Sequence, residues 1–196
     1  MKSFSERMLG SIWLFYAFLT VPLVWLTYEF FIVQSGGGKL FRWSGVFCVW
    51  LMLGTLAITP FVRMFRTAPW NRWLIVRRRH IGVAAFGYGL LHTVYWIQTK
   101  SLHDVLFSVF RPVALIGWLA LAVLLAMAVT SNDWSVRRLG IRWKTLQRWI
   151  YIGAPLTLWH WFMAEEYRVK TIVIYGGVLV VLFGYRLWQR RSWNLE

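Results

Sequence analysis

Six stretches of this 196-residue chain are predominantly apolar and near the length that crosses a lipid bilayer; they cover about 10–33, 43–65, 77–99, 112–130, 143–163 and 169–189. A bilayer core takes about 20 such residues in a helix. Backbone inside it must satisfy its own hydrogen bonds, so a helix is the form each stretch can adopt. The expected fold is therefore an all-α membrane protein, a single domain over 1–196 built as a six-transmembrane-helix bundle. Pro22, Pro60 and Pro155 fall inside the stretches, where neighbouring helices can satisfy the freed carbonyls. Ser35-Gly36-Gly37-Gly38 is the one flexible tract and joins the first two helices. Lys2 and Arg7 precede the first run, but that run is longer than a leader's apolar region, so it is read as a membrane helix and not as a cleaved signal.

The charges agree with a membrane. Only 15% of residues are charged, against about 25% in a soluble domain. Of the 22 Lys and Arg, sixteen lie at the two ends and in the second and fourth linkers, and six in the other three linkers. This asymmetry puts both termini in the cytoplasm. It also accounts for most of the +15 net charge: anionic membrane lipids are the expected partner, and no nucleic acid is. The seven acids, Glu6, Glu29, Asp104, Asp133, Glu165, Glu166 and Glu196, fall at or near segment ends. A transporter would bury acids along its ion path, which makes that alternative the weaker one. Cys48 is the only cysteine. No disulfide within the chain and no cysteine-based metal centre is possible, and apolar packing is its expected role.

Histidine inside an apolar helix needs a partner that hydrocarbon does not supply. His92 stands in GYGLLHTVYW, eight residues before Lys100, and His160 stands in LTLWHW, five before Glu165. At 1.5 Å per residue those offsets are about 12 Å and about 7.5 Å from the outer ends of helices three and five. The two helices run parallel in the expected topology, so the imidazoles lie at similar depth. Two imidazoles facing each other across a bundle suit the axial sites of a six-coordinate b-type haem, which makes His92 and His160 the expected iron ligands. Gly87, Gly89, Gly153 and Ala154 are near them and would leave room for a flat macrocycle; close helix packing is their alternative role. His80 lies about 120° around the helix from His92 and is expected at the interface. His103 is expected in an exposed outer linker, as a contact for an external partner or an alternative ligand.

Four stretches carry a family likeness: LAITPFVR (56–63), RRRHIGVAAFGYGLLHTVYW (77–96), TSNDWSVRRLGIRWKTLQRWIY (130–151) and LTLWHW (156–161). In order and spacing the chain resembles the MsrQ (YedZ) family, the haem-binding membrane subunits of the protein-methionine-sulfoxide reductase system, within the wider ferric reductase-like transmembrane group. The resemblance implies a six-helix bundle that binds haem b and passes electrons outward to a periplasmic molybdenum-containing reductase subunit. It implies a cytoplasmic flavin reductase or quinol as donor, with FMN or quinone as a further cofactor. Such a chain is an electron-transfer subunit, not a substrate-transforming enzyme by itself. Two positions depart from the family pattern. The histidine usual at the cytoplasmic end of helix five is Gln147 here, and an inner ligand position of helix three in the wider group is Arg78.

The outer pair is thus expected to hold one haem. A tentative inner site would use Arg78, Arg79, Gln147 and His80. Gln147 is a poor iron ligand because its amide oxygen is hard and neutral, so a second haem would need His80. The Arg77–Arg79 and Arg137–Arg138 clusters could dock a flavin phosphate or an inner propionate, or serve topology and lipid alone. For the outer propionates the candidates are Arg111, Arg168 and Lys170. The alternative function is a membrane ferric reductase or another quinol-linked cytochrome b. About seven residues follow the sixth stretch, so a soluble flavin domain is expected on a separate chain.

Overall fold

The computed structural model describes residues 12–33, 37–164 and 169–192, most of them helical, with no strand among them. Lys2, Arg7, Ser35, Gly36 and Arg168 lie outside the described residues. In chain order the elements are α1 (Ile12–Phe31), α2 (Gly37–Met64), α3 (Asn71–Gln98), α4 (Leu102–Ser108), α5 (Pro112–Val129), α6 (Asp133–Leu139), α7 (Ile141–Gln147), α8 (Ile150–Ala164), α9 (Val169–Thr171) and α10 (Gly177–Ser192), the last two joined by a π-helical turn, Ile172–Gly176. Among the described residues four helices are long and apolar enough to cross a membrane: α1, α2, α5 and the stretch Ile172–Gln189. On these, Phe18 (71% exposed) and Val180 (71% exposed) stand out from the protein. Apolar faces of that extent belong against lipid, so the chain is a multi-pass membrane protein.

Three expected boundaries moved, each for a local reason. Gly37 and Gly38 of the anticipated flexible tract are helical and open α2. α3 begins at Asn71, so Arg77, Arg78 and Arg79 sit inside it, not ahead of it. Arg77 is buried there, its guanidinium 5.3 Å from the Phe15 ring and 5.4 Å from Trp73, which ties α3 to α1. The stretch expected as one helix over 143–163 is two. The backbone tightens to i→i−3 bonds at Arg148, Trp149, Tyr151 and Ile152 before α8 begins in earnest. Pro155 lacks the N–H that would bond the Tyr151 carbonyl, and its ring crowds that same turn. Gly140, at φ +51° and ψ −121°, makes the turn that separates α6 from α7, a backbone region that other residues avoid.

Two antiparallel hairpins form the centre. In the first, Gly45 of α2 faces His92 of α3, Cys48 faces Gly89, and Thr55 faces Gly82; residue numbers rise along one helix as they fall along the other. In the second, Val113 of α5 meets His160 of α8, Val123 meets Gly153, and Met127 meets Gln147 of α7. Small residues let the backbones approach closely along both seams. The hairpins pack on each other, α3 against α5 and α2 against α8, while α1 and α10 lie against α2. The shared core comprises Val49, Met52, Leu56, Ala85, Leu124 and Ala154 among others. Tyr88 donates its hydroxyl to the Leu19 carbonyl at 2.8 Å, satisfying a buried polar group across the α1–α3 contact.

The α5–α8 seam gives a direct test. A Cβ on Gly153 would lie 2.8 Å from Val123 Cγ1, closer than packed carbon atoms sit. Gly153→Ala is expected to destabilise the protein in detergent by about 1–3 kcal/mol. The second change Val123→Ala should recover most of that loss. Thermal unfolding of the single and double variants measures it, and an unaltered single variant would show that the seam is not packed as described.

Candidate functional site

His92 and His160 come from different hairpins, yet their environments match. His92 Nδ1 donates to the Phe41 carbonyl of α2 at 2.8 Å, and His160 Nδ1 donates to the Val113 carbonyl of α5 at 2.8 Å. A carbonyl oxygen only accepts, so in each ring Nδ1 carries a proton, and in the neutral imidazole that leaves Nε2 with a bare lone pair. Four residues beyond each acceptor stands a glycine. A Cβ on Gly45 would lie 3.0 Å from His92 Nδ1, and one on Gly117 would lie 2.8 Å from His160 Cε1 and 2.9 Å from its Nδ1. Each imidazole therefore rests against a helix backbone through a gap that only glycine leaves. Phe41 also stacks on His92, ring centres 4.2 Å apart and planes 20° from parallel.

Both histidines line one cavity of about 970 Å³ between the hairpins. Their ring centres are 6.3 Å apart and their planes cross at 85°. Metal–imidazole bonds of about 2 Å, with about 1.2 Å more from each nitrogen to its ring centre, place two axial imidazoles about 6–6.5 Å apart across one metal ion. The observed separation fits. The cavity is also lined by the apolar side chains of Val49, Leu121 and Leu124, and by three cations, Arg42, Lys100 and Arg111. Among the described residues no group of three or more His, Cys, Asp or Glu could hold a bare metal ion. Two nitrogen donors, apolar walls of this volume and cations at the margin suit a metal whose remaining ligands arrive with a flat organic ring.

The other expected site residues divide. Arg78, Arg79 and Gln147 line a second cavity of about 500 Å³ toward the arginine-rich end of the bundle. His80 does not line it; its ring packs edge-on against Tyr16 of α1, centres 5.3 Å apart. Gln147 Nε2 donates to the Met127 carbonyl and to Thr130 Oγ1, each at 3.2 Å. Of the anionic-group candidates, Arg111 lines the histidine cavity and Lys170 does not. His103 is exposed against Phe107 and away from both cavities. Gly89 lines the histidine cavity, whereas Gly87, Gly153 and Ala154 do not; Gly153 serves the α5–α8 seam and Ala154 the core. The residues that sequence reasoning missed are Gly45, Gly117, Arg42 and Lys100. A mid-helix glycine at histidine depth was the available signal, but its use depends on which helices pair.

The family described as ferric reductase like transmembrane component matches residues 42–158. Among curated proteins, the chain is similar to the protein-methionine-sulfoxide reductase heme-binding subunit MsrQ of Bordetella pertussis, 35% identical over 165 residues covering 78% of this chain and 77% of that one. It is similar to the MsrQ subunit of Agrobacterium fabrum, 34% identical over 192 residues, 91% of this chain and 84% of the other. The MsrQ subunit of Brucella ovis is 31% identical over 184 residues, with 90% and 81% covered. No solved structure matches the chain.

The cradles predict a tautomer. In metal-free protein carrying ¹⁵N-labelled histidine, His92 and His160 should both show a protonated Nδ1 and an unprotonated Nε2. Gly45→Ala should perturb the His92 resonances and leave those of His160, and Gly117→Ala should do the reverse. Equal effects on both rings would contradict two separate cradles.

Proposed function

The chain belongs to the ferric reductase-like transmembrane family and, within it, to the MsrQ haem-binding subunits, and from that footing we propose that it carries one haem b between His92 and His160 and conducts electrons across a bacterial inner membrane. In this reading six helices span the bilayer: α3 and α8 complete the set begun by α1, α2, α5 and the Ile172–Gln189 stretch, with both termini on the cytoplasmic side. The histidine cavity then faces the periplasm. Its acceptor is a periplasmic molybdenum-containing methionine sulfoxide reductase subunit, and its donor is a cytoplasmic flavin reductase or quinol. The observation that carries the proposal is the pair of matched imidazole cradles opening on one apolar cavity.

A haem in that cavity supplies reversible one-electron exchange at its iron. The protein does the rest. His92 and His160 offer their Nε2 lone pairs, and the Phe41 and Val113 carbonyls hold each ring in the ligating tautomer while raising its basicity. Gly45 and Gly117 let the rings sit deep enough to do so. Arg42, Lys100 and Arg111 are placed to bind carboxylates of the group through charge-assisted hydrogen bonds. Leu121, Leu124 and Val49 keep water from the metal position and so favour the state of lower net charge.

The test is the reduced-minus-oxidised absorption spectrum of purified protein, with haem and iron counted per chain. One haem per chain and a b-type spectrum are expected, and His92→Ala or His160→Ala should abolish it. Gly45→Ala and Gly117→Ala should each weaken haem retention by about 10–100-fold, the usual effect of disturbing a ligand's supporting partner. Gly54→Ala, where the added Cβ meets nothing within 4 Å, should leave it intact. Wild-type protein that binds no haem, or keeps it after both histidines are removed, would overturn the assignment.

A further inference from the structure

No residue of α4 is buried, yet one side of this short helix is apolar. At about 100° per residue, Leu102, Leu106 and Phe110 (in the turn that follows α4) fall within about 80° of one another, and Phe107 widens the same face. Asp104 and Ser108 take the opposite side. Leu102 is 76% exposed and Phe110 81%. We propose that α4 lies flat in the lipid–water interface, with this face seated among the acyl chains beside the histidine cavity.

The length of α5 sets the level at which α4 sits. α5 has 18 residues, about 27 Å at 1.5 Å per residue, against a hydrocarbon core of about 30 Å. A span that short leaves its first residue at the edge of the hydrocarbon. Only Arg111 stands between Phe110 and Pro112, where α5 begins. α4 is therefore tethered at the boundary and not above it. Along the chain, its apolar face continues the one that Leu115 and Leu119 expose on α5. A protein partner that came and went would return these side chains to water at each departure, whereas lipid is always there to cover them.

The details of α4 suit that seat. Ser101 caps it, the hydroxyl accepting from the Asp104 amide at 3.1 Å and donating to the Asp104 carboxylate at 2.8 Å. His103 packs on Phe107, ring centres 4.4 Å apart; an imidazole has an apolar body and a polar edge, as the headgroup level requires. Lys100, Ser108 and Arg111 line the histidine cavity, so the seating of α4 fixes the height of two of that cavity's three cations. The contact needs acyl chains and no anionic headgroup, unlike the arginine clusters, and it does not depend on haem being bound.

Spin labelling of the full chain in phosphatidylcholine nanodiscs tests it. Cys48 is buried, and the unsubstituted chain serves as the labelling blank. A nitroxide is attached in Leu106→Cys, in Phe110→Cys and, on the opposite side, in Asp104→Cys. Relaxation by oxygen, which concentrates in hydrocarbon, set against relaxation by a water-soluble nickel chelate gives the depth of each label. The labels at 106 and 110 should lie about 5–10 Å into the boundary between headgroups and acyl chains, and the label at 104 on its water side. Nickel access as free at 106 and 110 as at 104 would overturn the proposal and leave the face to a protein partner. Spin–spin broadening at 106 and 110 would overturn it in favour of a second copy of the chain. Unsubstituted protein supplies a check that no misfolded variant can spoil: phosphatidylcholine with a diazirine in its acyl chain should cross-link within 102–110 as well as to α5. Adducts on α5 with none on α4 would contradict the proposal. The haem spectrum, read on the same samples, scores the two assignments apart.

Discussion

An imidazole N–H inside a membrane has few partners, and here each of two rings takes a helix carbonyl. Leaving such a donor unsatisfied would cost about 1–3 kcal/mol. The carbonyls of Phe41 and Val113 have a second lone pair to offer, and glycine four residues on removes the side chain that would block the approach. This contact orients the ring, sets its tautomer and aims the remaining nitrogen into the bundle. It also requires α2 against α3 and α5 against α8 at close range, so hairpin packing and site geometry are one constraint.

The consequence is a bundle with two chemically distinct compartments. Toward one end, two neutral nitrogen donors face each other within apolar walls, which suits a metal held in a macrocycle. Toward the other, guanidinium groups converge, and among the described residues no carboxylate lines their cavity, Asp133 pairing with Arg79 outside it. Leu124 lines both cavities, so little more than one layer of core side chains divides them.

Much of the helical content was legible in the sequence, because lengths of apolar chain near a bilayer's thickness leave few alternatives. Counting residues back from Lys100 and Glu165 paired His92 with His160, and both residues line one cavity. The helical phase that set His80 apart from His92 corresponds to its place against Tyr16. What spacing could not reveal was which helices pair. Gly45 and Gly117 therefore looked like any membrane-helix glycine, while Gly153, expected near a macrocycle, serves the packing of Val123. The break before α8 was hidden for a similar reason. A proline inside an apolar run reads as tolerable, and only the neighbouring backbone shows that the turn ahead of Pro155 tightens instead of continuing.

The central claim is that one iron is held between these two imidazoles in the orientation the protein imposes on them. Low-temperature electron paramagnetic resonance of the oxidised, haem-loaded protein reads that orientation, because the signal of low-spin ferric haem depends on the angle between its axial ring planes. Planes crossed at 85° predict a strongly anisotropic low-spin signal dominated by a single low-field feature. A rhombic three-line spectrum, the mark of near-parallel rings, or a high-spin spectrum, the mark of a missing ligand, would contradict the account.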